Sequence, residues 1–146
     1  MSKNLQRKYQ KEDLDRFLSD LNQDLENWKS EGLDLDDEWS FHILELPQLF
    51  QELARIYLEE KDILKHSDLF KILEKTLEFV IDSMDFLPEA ILGPSGYADD
   101  VYVAACCAER LSGLYQTNIK TSLIIENAEE MLGRIVKKHC DNFLKA

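Results

Sequence analysis

Leu14, Phe17, Leu18, Leu21, Leu25 and Trp28 stand three or four residues apart, with acids and amides between them. That spacing puts the large apolar side chains on one face of a helix and leaves the opposite face to water. The period returns four times. Leu49, Phe50, Leu53, Ile56 and Tyr57 carry it, then Leu69, Ile72, Leu73, Thr76, Leu77, Val80, Ile81 and Met84. Val101, Ala104, Ala105, Ala108, Leu111 and Leu114 follow, and Ile124, Ala128, Met131, Leu132, Ile135, His139 and Phe143 form the last stripe. No alternating, β-branched run competes with these stripes. The expected fold is all-α, a compact bundle of about five or six helices with no sheet. With 45% hydrophobic and 32% charged residues, five Gly and three Pro, the 146-residue chain reads as one domain, 1–146. A chain of that length buries roughly 68% of its unfolded surface in a single core.

Punctuation divides the chain into acidic N-terminal helices, 1–62, and a helical region, 63–146. The first helix is predicted at about 12–30, stopped by Gly32, with an acidic connector to Glu38. Trp39, Phe41, Ile43, Leu44 and Leu46 form an apolar patch before Pro47, which suits the first turn of a helix over 47–62. Ser67 is the expected cap of the third helix. Gly93, Pro94, Ser95 and Gly96 make the concentrated turn signal from which the fourth helix should start. The final helix is expected over 120–144, with Lys137, Lys138, His139 and Lys145 complementing the negative end of its dipole.

A formal charge of −12 argues against direct nucleic-acid binding, which draws its affinity from cations replacing condensed counterions. The same repulsion disfavours anionic membranes. No apolar run reaches the ~20 residues of a transmembrane segment, and Met1 to Lys11 has no signal-peptide core, so a cytoplasmic location is expected. Cys106, Cys107 and Cys140 are odd in number and unlike a disulfide framework, so all three read as reduced, small apolar residues. His42, His66 and His139 are scattered and form no ligand set.

The segment Asp82-Ser83-Met84-Asp85-Phe86-Leu87-Pro88-Glu89, followed by Gly96-Tyr97-Ala98-Asp99-Asp100, resembles the YkvA-like family, a domain of unknown function. The family pattern is D-L-I-P-D followed several residues later by G-Y-x-D-D. The match covers about 20 residues, and Gly93-Pro94-Ser95 replaces a more apolar stretch of the loop. The resemblance implies a helical fold and brings no established activity, although many relatives look membrane-associated.

The residues themselves allow three readings of this cluster. Asp85 can bond backbone donors at the turn, while Asp99 and Asp100 occupy the first turn of the fourth helix, where free N–H groups favour anions. With Gly96 as cap, Asp99 would fall at the third helical position, a favoured place for an acid. Alternatively Asp85, Glu89, Asp99 and Asp100 converge on Mg²⁺ or Ca²⁺ through oxygen ligands. A pair of them doing general acid/base work is the third reading. No resident cofactor is otherwise expected.

Charge is concentrated elsewhere. From Glu12 to Glu45 there are twelve acids against Arg16 and Lys29. Such a block is either a solvated face or a docking surface for a basic protein partner. Asp34, Asp36, Asp37 and Glu38 lie in its connector, with Trp28, Trp39 and Phe41 as aromatic anchors beside it. The sequence therefore reads as a non-enzymatic helical interaction or regulatory protein. A divalent-metal protein or metal-dependent enzyme using the carboxylate cluster, and a peripheral membrane adaptor, are the alternatives.

Overall fold

In a computed structural model, residues 7–30, 42–82, 97–115 and 120–145 are described, without the side chains of Trp28 and Lys29. The described residues form helices and contain no strand. α1 runs Lys11–Ser30 and α2 runs Leu46–Glu59, followed by a 3₁₀ turn, Lys61–Lys65. α3 is Ser67–Ile81 and α4 is Ala98–Leu111. The last expected helix is three: α5 (Ser122–Glu126), α6 (Ala128–Leu132) and α7 (Arg134–Lys145).

α4 is the central element, packed by α2, α3, α5, α6 and α7. Its Ala104, Ala105 and Ala108 are small enough to let neighbouring helices approach, and every residue from Ala98 to Ala105 is buried. α2 buries the stripe read from the sequence, Leu49, Phe50, Leu53, Ile56 and Tyr57, each fully. Pro47 sits in its first turn as expected, where a missing N–H costs nothing. α1 lays Leu14, Leu21 and Leu25 on this core, with Phe17 and Phe50 rings 4.8 Å apart. A second apolar cluster, Tyr102, Val103, Ala128, Cys140 and Leu144, joins α4 to α6 and α7.

Several sequence expectations shift. The residue flanking α3 is His66, without a side-chain cap bond, and Ser67 is already helical. Leu114 follows the end of α4 and is 53% exposed instead of inward. The C-terminal helix breaks at Asn127 and at Gly133, whose φ of 82° and ψ of 157° are strained for a residue with a Cβ. The break resets the helical phase, so Ile135 and His139 face outward and Cys140 and Leu144 point in.

Ahead of α1, residues 7–10 cross α2 and α3 as a strap. The Arg7 Nε donates to the carbonyl of Tyr57 at 2.5 Å, and the Tyr9 N–H donates to the Tyr57 hydroxyl at 3.1 Å. The Lys8 N–H donates to Glu74 at 3.0 Å, while its ammonium pairs with Glu78 at 2.9 Å. Tyr57 completes the network by donating its own hydroxyl proton to Glu74 at 2.5 Å.

Candidate functional site

Of the four motif carboxylates, Asp99 and Asp100 are described; Asp85 and Glu89 lie outside the described residues. The N-cap of α4 is Tyr97 instead of Gly96, so Asp99 stands second and Asp100 third in the helix. Both are fully buried. Asp99 Oδ1 accepts the N–H of Asp100 at 2.9 Å, satisfying one of the amide groups that a helix start leaves without an intrahelical partner. Tyr97 donates its hydroxyl to Asp24 of α1 at 3.1 Å and ties α4 to the acidic helix. Among the described residues no three His, Cys, Asp or Glu side chains converge as a metal would need.

A substitution separates the readings of this pair. Asp99→Ala is expected to cost about 1–3 kcal/mol by leaving a buried N–H without its acceptor. The check is a melting curve with and without Mg²⁺ or Ca²⁺. A mutant that melts like the parent but has lost an ion-dependent stabilisation would transfer the pair from helix capping to metal binding.

The acidic block is described along α1. Glu12, Asp13, Asp15, Asp20, Asp24 and Glu26 are all exposed, against the cations Lys11 and Arg16. Lys11 is held by Asp15 at 2.6 Å. The proposed connector residues Asp34, Asp36, Asp37 and Glu38 lie outside the described residues, as do Trp39, Phe41 and the side chain of Trp28.

What the sequence does not reveal is a groove of about 350 Å³ between α1 and α2. Leu18, Ala54 and Leu58, each half-buried, contribute apolar walls, with Asp15, Glu52, Glu59, Lys11 and Arg55 around them. Arg55 is engaged by Glu52 at 3.1 Å and Glu60 at 3.4 Å. The groove opens along α1 past Ser19, Asn22 and Gln23 to Glu26. The groove thus combines an apolar lining with three acids and two cations, Asp15 pairing with Lys11 and Glu52 with Arg55 while Glu59 stands exposed at the rim. The signal available in the sequence was Ala54 and Leu58, apolar residues just beside the buried stripe of α2.

A polar cluster joins α4 to α7 at the far side of the core. Tyr102 donates to Asp141 Oδ1 at 2.5 Å, and Lys137 donates to Asp141 Oδ2 at 3.0 Å. Burial works against the Asp141 carboxylate, yet these two donors together outweigh it and hold the acid below its ordinary range. Burial pushes the half-buried Cys106 thiol up, with Tyr102 and Arg110 only partly opposing it. Cys107, enclosed in the core, is pushed up to about 12 by burial. A neutral thiol is a poor nucleophile, which suits Cys106 and Cys107 to packing.

Neither a family model, a curated protein nor a solved structure matches the chain.

Proposed function

We propose that this chain is a non-enzymatic interaction or regulatory protein that receives a basic partner on the α1–α2 face. The observation that carries this reading is the groove, where the acids of α1 and α2 rim an apolar lining. Acids alone would be a solubility device. An adjoining apolar trough adds the desolvated contact area from which binding energy comes, and the charge supplies steering. No helix among the described residues is long and apolar enough to cross a membrane.

The test uses a synthetic helical peptide of Lys and Leu as the basic probe, titrated by fluorescence anisotropy. Asp15→Asn/Glu26→Gln/Glu59→Gln is expected to weaken binding about tenfold or more, with a nearly unchanged melting temperature. Neutralising Asp34, Asp36, Asp37 and Glu38 should weaken it further. Association should slow steeply between about 50 and 300 mM salt, where the screening length falls well below ~14 Å. Parent-like affinity and salt dependence in the neutralised protein would reduce the acidic face to a solubility device.

The complete burial of Asp99 and Asp100 supports a second reading, in which they join Asp85 and Glu89 around Mg²⁺ or Ca²⁺. Buried charges are ordinarily paired or bound to metal, and the YkvA-like resemblance places all four in one motif.

A further inference from the structure

α7 reverses the character of the chain. Its twelve residues hold Arg134, Lys137, Lys138 and Lys145 against a single acid, Asp141, in a protein of net charge −12. Asp141 is spent on Tyr102 and Lys137. The exposed residues of this helix, Arg134, Ile135, Lys138, His139, Asn142 and Lys145, include no acid. Ile135 among them is 79% exposed, the most exposed large hydrophobic side chain of the described residues. The Gly133 break turns it outward, flanked in sequence and along the helix by Arg134 and Lys138.

We infer that α7 docks into the α1–α2 groove of a second copy of this chain, with Ile135 against Leu18 and Leu58 and its cations on the acidic rim. The inference rests on the reading of that groove as a site for basic segments, and it names one occupant. Charge complementarity selects the partner. Among its described side chains α1 exposes six acids, two cations and no large apolar residue, while α7 exposes cations around one. Lengths also fit, since 12 residues of helix span about 18 Å and the 20 of α1 about 30 Å. Within one chain α1 packs on α2, and α7 packs on α4 and α6, so both surfaces are presented outward. Two chains can satisfy the contact reciprocally, each giving its α7 and receiving the other's. Self-association through this face occludes the groove, so it would compete with an external basic partner.

Sedimentation velocity over a concentration series tests this. The parent chain is expected to gain mass with concentration at about 100 mM salt and to return to the monomer at about 500 mM. Arg134→Glu/Lys138→Glu and, separately, Ile135→Ala should lower the association constant about tenfold or more while melting like the parent, because these side chains are exposed. Glu26→Lys/Glu59→Lys should also remain monomeric. Mixing it with Arg134→Glu/Lys138→Glu should restore a pair, since the reversed α7 then meets a reversed groove. A parent that stays monomeric at high concentration, or an α7 reversal that associates like the parent, overturns the inference. Binding of the Lys/Leu peptide by such a monomer would leave the groove reading standing, whereas loss of both would remove the groove as a site.

Discussion

Tyr57→Ala should be among the most damaging single changes in the protein, costing about 3–5 kcal/mol. The side chain is fully buried, stacks on Phe70 at 5.6 Å between ring centres, and lies 6.3 Å from Tyr9. Its hydroxyl is the junction of the strap, donating to Glu74 and accepting from the Tyr9 N–H. Truncation therefore empties a core position and removes the hydroxyl junction with Tyr9 and Glu74 at once. Tyr57→Phe keeps the ring and removes the junction alone, for an expected cost of about 1–3 kcal/mol. Against a total stability of roughly 5–15 kcal/mol, the first change leaves a marginal domain and the second a folded one. Urea denaturation of the three proteins checks both values. A Phe variant as stable as the parent would mean that the Tyr57 hydroxyl contributes nothing to the fold.

The second large effect is expected in alkali. Burial, followed by a hydrogen bond to a carboxylate, raises the hydroxyl of Tyr57 against Glu74, of Tyr102 against Asp141 and of Tyr115 against Asp62. For Tyr115 the value reached is about 12, and the buried Cys107 thiol is likewise raised to about 12. Unfolded tyrosine and cysteine titrate near 10.0 and 9.0. The folded chain thus keeps protons that the unfolded chain releases. Stability from these groups is whole below about pH 9 and is lost as pH rises through the folded values. The loss should reach on the order of 3 kcal/mol by pH 11, after discounting hydroxyls that remain within reach of water. Denaturation free energies measured from pH 8 to 11 should fall with pH, and Tyr102→Phe should make the slope shallower. A flat profile would contradict both the burial and the carboxylate partnerships of these groups.

Helix class and core were legible because they depend on local period. The stripe of α2, and Leu14, Leu21 and Leu25 from that of α1, name residues that the structure buries, and Pro47 marks the start of α2. Legibility failed where one backbone choice resets phase. Gly133 lies within the last apolar stripe and looks tolerable there, yet its φ of 82° turns Ile135 and His139 outward. Phe70 was missed because its neighbours Leu69 and Ile72 also fit a helical face, and only tertiary packing decides which of them is most enclosed. The pairing of Asp99 and Asp100 at a helix start was readable from the motif, while its register moved by one residue with the cap at Tyr97. The strap was invisible, since Arg7, Lys8 and Tyr9 have no period and their partners lie 48 to 70 residues away. The groove was invisible for the same reason. Acids on α1 are plain in the sequence, but the trough exists only where Leu18 comes to face Leu58.

The central claim is that the α1–α2 face receives a basic amphipathic segment, and its most direct measurement is an amide chemical-shift map of the protein titrated with the Lys/Leu helical peptide. The expected result is saturable shifts at Lys11, Asp15, Leu18, Gln51, Arg55 and Glu59, extending along α1 to Glu26, with α3 and the α4 core unmoved. Shifts scattered over exposed acids without saturation, or centred away from the α1–α2 groove, would contradict it.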